Sequence, residues 1–124
     1  MVGLPALAVA GKQEDVVEVS RFADMLSAMG TEPRLRIVRL LLAAHPDGLI
    51  VGEIQGELEM PSSTLSHHLE KLRMDHLATV ERDGTFLRYR ANTKALQELL
   101  RFLYSECCSR KKAIEPELIL PVCR

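Results

Sequence analysis

Residues 60–73 have the sequence MPSSTLSHHLEKLR, which is the most informative segment of this 124-residue chain. Three leucines recur at spacings of four and three after Pro61, a residue that interrupts any preceding helix. This spacing predicts a helix over residues 62–74 that is capped by Ser62 or Ser63. Its buried side carries Leu65, Leu69 and Leu72, and its polar face carries Ser63, Thr64, Ser66, His67, Glu70 and Lys71.

A shorter helix is predicted directly upstream, over residues 51–58, with Ile54 and Leu58 facing inward. Two short helices separated by a tight turn, the second with a polar outer face, meet the requirements of a helix-turn-helix. Such a motif lays the polar face of its second helix in the major groove of DNA, where side chains contact base edges.

A β-hairpin is predicted after this motif. Residues 77–82 and 86–91 have roughly alternating character, and Asp83-Gly84 lies between them. An Asp-Gly pair between two such segments is a strong short-range sign of a hairpin. A hairpin in this position supplies the wing of a winged helix. Three of its side chains can reach phosphates or a minor groove: Arg82, Arg88 and Arg90.

Three further helices complete the expected architecture. Apolar residues predict a helix over 14–29, which Gly30 ends. Thr31 is the N-cap of the next helix, which is apolar nearly all round and is expected to be the buried centre of the fold. Asn92 or Thr93 begins the last helix. One face of this helix is lined by Leu96, Leu99, Leu100 and Leu103. Because the closed central core leaves little surface for these leucines to cover, we assign the last helix, with the first, to a dimer interface.

The chain from Leu26 to Leu103 resembles the arsenical-resistance repressors (ArsR/SmtB family), which are winged-helix metalloregulators. Residues 26–42, LSAMGTEPRLRIVRLLL, and residues 60–73 carry the resemblance. It implies a mainly α winged helix-turn-helix with a β-hairpin wing. It also implies a homodimer that represses transcription at operator DNA and dissociates from that DNA when an inducer binds. It also implies a DNA-contacting face of Ser62, Ser63, Thr64, Ser66, His67 and Lys71. His76 departs from the family pattern, in which many members have glycine before the leucine.

Composition limits the remaining possibilities. The length suits one domain, which we divide into a flexible arm (1–13), a DNA-binding and dimerisation domain (14–109) and a tail (110–124). Residues 1–60 hold five Lys and Arg against nine Asp and Glu, whereas residues 61–124 hold eleven against eight. Basic charge is therefore concentrated in the half with the DNA-binding motif.

The short apolar opening cannot span a bilayer and is a weak signal peptide, so we expect a cytoplasmic protein without membrane contact.

The inducer site is expected at the three cysteines, Cys107, Cys108 and Cys123. An odd number of cysteines is a poor disulfide framework and suits a reducing compartment. The resemblance implies a Cys-x-Cys arsenic site on the helix before the recognition helix in many relatives, but residues 49–54 contain no cysteine here. It implies Asp and His zinc ligands on the last helix in others, but residues 93–104 contain neither residue. Thiolates select soft metals, and the basic residues 110–112 favour the thiolate form. We therefore expect As(III), with Sb(III) as a second candidate and no organic cofactor.

Several other functions compete with this one. His67-His68 is not expected to hold a metal, because adjacent helical residues lie about 100° apart; one should face the groove and the other should pack. A thiol-based redox or persulfide switch in the same fold remains an alternative. A DNA-binding or protein-interaction winged helix without a switch is another. An enzyme is not expected, since the chain has no Cys-x-x-Cys, glycine-rich phosphate loop or nucleophile-base-acid set.

Overall fold

The computed structural model describes residues 6–107, with side chains from residue 16 to residue 105. The chain divides between Asn92 and Thr93 into two compact units; within the described residues the first has four helices and a sheet and the second has one helix. The five helices are α1 (Ala6–Met29), α2 (Glu32–Ala43), α3 (Val51–Leu58), α4 (Ser62–Met74) and α5 (Thr93–Cys107). The three strands are β1 (Leu49–Ile50), β2 (Ala78–Asp83) and β3 (Phe86–Ala91). This architecture confirms the predicted winged helix-turn-helix.

The start of α1 differs from the prediction. The helix begins at Ala6, so residues 6–13 of the expected arm are helical and the first helix is longer than residues 14–29. Residues 6–10, ALAVA, are dominated by alanine and leucine, which favour helix strongly, and a lone Gly11 costs a helix only about 1 kcal/mol.

Helix α2 begins as predicted, because the Thr31 hydroxyl accepts a hydrogen bond from the Arg34 amide at 3.4 Å. The expectation that α2 is the buried centre of the fold holds for one side of the helix only. Ile37, Val38 and Leu41 are buried, whereas Leu35 and Leu42 are 47% and 42% exposed. Apolar residues lie nearly all round α2, but the rest of the unit packs against only one side of the helix.

Helices α3 and α4 lie where the helix-turn-helix was predicted. Glu59 ends α3 in the left-handed conformation, with φ of 49°. The predicted serine cap of α4 is wrong: Pro61 occupies the cap position in an extended conformation, and its carbonyl accepts from the Leu65 amide at 2.9 Å. Both serines therefore lie inside the first helical turn, with their side chains exposed.

The hairpin forms one antiparallel sheet with a third strand, in the order β1-β3-β2. Strand β1 was not predicted, since two residues have no periodicity. It is defined only by the pairing of Leu49 with Tyr89 and of Ile50 with Arg88. Asp83 pairs with Phe86, so the two-residue loop is Gly84-Thr85 rather than Asp83-Gly84. Gly84 has φ of +65°, a conformation that glycine adopts at little cost.

The core of the first unit is aliphatic and lies among α1, α2, α3, α4 and the base of the sheet. Each of these helices contributes buried side chains, as does Leu77 directly before β2. Leu65, Leu69 and Leu72 of α4 are 0%, 1% and 0% exposed, as predicted. Burial of apolar surface is the main force that holds such elements together. The fully buried large side chains are Met25, Ile37, Leu41, Ile54, Leu65, Leu69, Leu72 and Leu77.

Helix α5, taken by itself, has a partly buried leucine stripe. Leu99 is 3% exposed, but Leu100 and Leu103 are 65% and 49% exposed. Between residues 6 and 107, no helix is long and apolar enough to cross a membrane.

Candidate nucleic-acid interface

The outer face of α4 is polar, and its side chains at the amino end of the helix are exposed. Ser62, Ser63, Thr64, Ser66 and His67 are all exposed. The side chains of the two serines at 62 and 63, of Thr64 and of Ser66 make no hydrogen bond or ion pair with any residue that the structure describes. The leucines on the opposite side fix the rotation of the helix, because they can be buried in only one orientation. These side chains are therefore held outward by a rigid element, with their donors and acceptors unused.

The amino end of α4 adds a second feature that suits an anion. The first amide groups of a helix have no acceptor inside that helix, and the helix dipole gives this end a partial positive charge. The first turn of α4 contains no acidic residue. Phosphate groups bind readily at such helix ends. The outer face and the amino end of α4 can thus contact base edges and the DNA backbone together.

Lys71 lies further along α4 and is already paired. Its ammonium group is 3.1 Å from the carboxylate of Asp75 on the next turn. Beside this pair, Arg73 binds Glu70 through two hydrogen bonds of 3.1 and 2.6 Å. The arginine lowers the pKa of the Glu70 carboxyl, chiefly through those bonds. The carboxyl end of α4 therefore has internally compensated charges, unlike its amino end.

The two adjacent histidines have different surroundings, as the sequence analysis expected. His67 is exposed, whereas His68 is partly buried with its Nδ1 3.5 Å from Nη1 of Arg34. Burial lowers the pKa of His68, and the charge of Arg34 and the neighbouring His67 lower it further. Arg34 also donates from Nε to the carbonyl of Ala28 at 2.5 Å. Arg34 therefore links the end of α1, the start of α2 and the inner side of α4.

The wing does not present its three arginines together. The pairing of Arg82 with Leu87 places Arg82 on the opposite face of the hairpin from Arg88 and Arg90. Arg82 is exposed and has no hydrogen bond or ion pair with any described residue. Arg88 and Arg90 are partly buried and bound to acceptors of the protein itself. The structure thus leaves one of the three arginines unengaged.

Sequence reasoning missed Arg34 and the acidic partners of the wing arginines, Glu81 and Asp83. A hairpin with a two-residue loop always pairs an even-numbered residue with an odd-numbered one, so Arg82 and Arg88 had to lie on opposite faces. Opposite charges at positions 81, 83, 88 and 90 were also visible, and such cross-strand pairs are common. The link through Arg34 had no comparable sign, because its partners are distant in sequence.

The expected cysteine site lies outside the part that the structure describes in side-chain detail. Cys107 is the last helical residue of α5, and nothing is described of its side chain. Cys108 and Cys123 lie outside the described residues altogether. Among the side chains that are described, no group of three histidine, cysteine or acidic residues could hold a metal ion. The His67-His68 pair is thus not part of such a group.

Comparison with known proteins agrees with this geometry. The profile of a family described as "Helix-turn-helix domain" matches residues 29–81, which run from the end of α1 into β2. The transcriptional activator HlyU of Vibrio cholerae is 38% identical over 85 residues, which are 66% of this chain and 76% of that protein. The chain belongs to the ArsR family of winged-helix transcriptional regulators.

Solved structures of ArsR-like regulators extend the comparison. Reduced HlyU from Vibrio cholerae has a TM-score of 0.59 and 36% identity, with 74% of this chain and 97% of that chain covered. The transcriptional repressor PagR of Bacillus anthracis has a TM-score of 0.60 and 28% identity, covering 71% and 98%. A homodimeric winged helix-turn-helix domain from Mycobacterium bovis, described as a possible ArsR-family regulator, shares the fold at 21% identity, with a TM-score of 0.60 and 89% and 94% coverage.

Membership in the ArsR family confirms that the chain is a transcriptional regulator and not an enzyme. The backbone conformation at His76 bears on the departure from the family pattern noted from the sequence. His76 has φ of +63°, in the left-handed region that a glycine would enter without cost. The backbone therefore keeps the turn into the wing although the side chain is large.

Proposed function

We propose that this ArsR-family regulator binds double-stranded operator DNA as a homodimer, with the outer face of α4 in the major groove and Arg82 on the backbone beside it. The observation that carries the proposal is the row of exposed, unpartnered polar side chains at the amino end of α4. The major groove of B-DNA is about 12 Å wide, which admits one α-helix with its side chains.

Exposed apolar residues support the dimer. Helix α1 presents Val16, Val17, Val19 and Leu26, and α5 presents Leu100 and Leu103, each 47% to 69% exposed. Patches of this kind on a small protein commonly mark association sites. The Mycobacterium bovis domain with this fold is homodimeric. A two-fold dimer places its two α4 helices against half-sites about one helical turn apart.

Selection from a pool of randomised duplexes tests this proposal. Purified protein should enrich a sequence with two-fold symmetry, and sedimentation should give twice the mass of the chain. Ser66→Ala should weaken binding of the selected duplex and leave binding of random DNA nearly unchanged, because base contacts carry specificity and phosphate contacts do not. Gln97→Ala, an exposed polar substitution on α5, is the control. Enrichment of no sequence, or binding by a monomer, would contradict the proposal.

We further propose that the regulator is a repressor, and that As(III), or Sb(III), releases it from DNA by binding Cys107, Cys108 and Cys123. The support is the resemblance to arsenical-resistance repressors, together with three cysteines in the last eighteen residues. Three thiolates suit a soft pyramidal centre. The relatives include a protein named as an activator and one named as a repressor, so a reporter gene behind the selected operator tests the direction of regulation.

A thiol redox switch is the second candidate, and one observation favours it: a structure of the Vibrio cholerae relative is described as reduced HlyU. In such a switch, hydrogen peroxide would oxidise two thiols to one disulfide and be reduced to two molecules of water. Reduced protein bound to operator DNA is titrated anaerobically with As(III), and separately with peroxide. Release by near-stoichiometric As(III), lost in the Cys107→Ser/Cys108→Ser variant, supports metalloid sensing. Release by peroxide alone supports the redox switch, and release by neither contradicts both.

A further inference from the structure

Two arginines of β3 make matching sets of contacts across the base of the wing. Arg88 donates from Nε to the Asp83 carboxylate at 2.9 Å and from Nη1 to the Gly48 carbonyl at 3.4 Å. Arg90 binds the Glu81 carboxylate and donates from Nε to the Pro46 carbonyl at 3.0 Å. Each arginine therefore joins one carboxylate of β2 to one backbone carbonyl of the turn between α2 and β1 (residues 44–48).

The turn is built to lie against β3. Gly48 is buried, with φ of +73°, and a Cβ atom there would collide with the Tyr89 carbonyl and the side chain of Arg90. Strand β1, which follows the turn, pairs with β3 at only two positions. Few backbone hydrogen bonds therefore tie the wing to the rest of its unit on this side, and the two arginines supply additional ones.

We propose that Arg88 and Arg90 are positioning residues that fasten the wing to the 44–48 turn, and that Arg82 is the wing arginine that contacts DNA phosphate. The inference rests on the proposed DNA-binding function and assigns different roles to three residues that the sequence had grouped together. Arg88 and Arg90 are already neutralised by carboxylates, and each would have to leave two acceptors to reach a phosphate. Arg82 would leave none.

Salt dependence of DNA binding separates the two roles. Each phosphate contact made by a basic residue contributes about one unit to the slope of log affinity against log salt. The dimer has two wings, so Arg82→Gln removes two phosphate contacts and is expected to lower that slope by about two units. Arg88→Gln and Arg90→Gln are expected to weaken binding at every salt concentration and to leave the slope unchanged, because they loosen the wing without removing a phosphate contact. Loss of a full unit in either of those variants would overturn the assignment.

Lysine substitutions give an independent comparison. Lysine keeps the positive charge but has no planar fork, so it cannot bind a carboxylate and a carbonyl in the geometry of arginine. Arg82→Lys is expected to retain the slope and most of the affinity. Arg88→Lys is expected to behave like Arg88→Gln. Full retention of affinity in Arg88→Lys would show that charge alone matters there and would contradict the positioning role.

Hydrogen exchange on the free protein tests the fastening without DNA. Amides of residues 47–50 are expected to exchange faster in Arg88→Gln and Arg90→Gln than in the wild type, while Arg82→Gln matches the wild type. Unchanged exchange in the first two variants would overturn the inference. If the wild type bound no DNA at all, the proposed function would fail, whereas this measurement would still decide whether the arginines hold the turn.

Discussion

The outer face of α4 and the face of β3 that carries Arg88 and Arg90 are both polar, but they differ in what their side chains contact. On α4, Ser63, Thr64 and Ser66 have no partner among the described residues. On β3, Arg88 and Arg90 each bind two acceptors from the same chain. The comparison teaches that residue type identifies a polar face, whereas the presence of internal partners decides whether that face is free to bind DNA.

The largest expected effect on stability concerns the turn that the β3 arginines hold. Gly48→Ala should destabilise the fold by about 3 kcal/mol, since the left-handed conformation costs alanine about 1–2 kcal/mol and the collision with β3 adds a similar amount. Gly84→Ala is the matched control, because Gly84 also has positive φ but a Cβ there meets nothing within 4 Å. It should cost about 1 kcal/mol. Urea denaturation measures both, and equal losses would show that the turn does not press against β3.

The largest expected effect on DNA binding concerns the free face of α4. The Ser66→Ala/His67→Ala variant should lose about 2–4 kcal/mol of binding at each half-site of the selected operator, since each good base contact contributes about 1–3 kcal/mol. Its stability should match the wild type, because both side chains are exposed. Fluorescence anisotropy with operator and random duplexes gives the specific loss. Equal weakening on both duplexes would mean that this face contacts phosphates rather than bases.

The smallest effect concerns the inner side of α4, where His68 faces Arg34. Folding lowers the pKa of His68, so the unfolded chain binds more protons than the folded chain between the folded pKa and the ordinary histidine value. Stability should therefore fall as pH drops below about 6.5, the ordinary value. The decline should stop once the pH is below the folded pKa. His68→Gln should flatten this part of the profile, and His45→Gln, which changes an exposed histidine, is the control. Urea midpoints from pH 7.5 to 5 that fall equally in the wild type and His68→Gln would contradict the contribution of His68.

Most of the fold could be predicted because its signals are local. The leucine spacing of α4, the Thr31 cap and the hairpin are all expressed within a few residues of sequence. Strand β1 could not be predicted, since only its pairing with β3 defines it. The exposure of Leu35 and Leu42 also depends on what the rest of the unit covers, which hydrophobic periodicity does not report.

The candidate site was predictable to a smaller extent. The sequence indicated the α4 face, because burial of one stripe of leucines forces the polar stripe outward. Hairpin pairing and the acidic residues of β2 were enough to separate Arg82 from Arg88 and Arg90. The carbonyl acceptors of Gly48 and Pro46 could not be predicted, because they come from a segment distant in sequence. The cysteine hypothesis stays a prediction, because Cys108 and Cys123 and the side chain of Cys107 lie outside the described residues.

The most direct test of this account is an NMR titration of the protein with the selected operator duplex, following backbone amides and arginine Nε–Hε signals. The account predicts large shifts for the amides of residues 62–67 and for the Arg82 side chain, while the side-chain signals of Arg88 and Arg90 stay close to their free positions. Shifts of Arg88 and Arg90 as large as that of Arg82, with residues 62–67 unchanged, would contradict it.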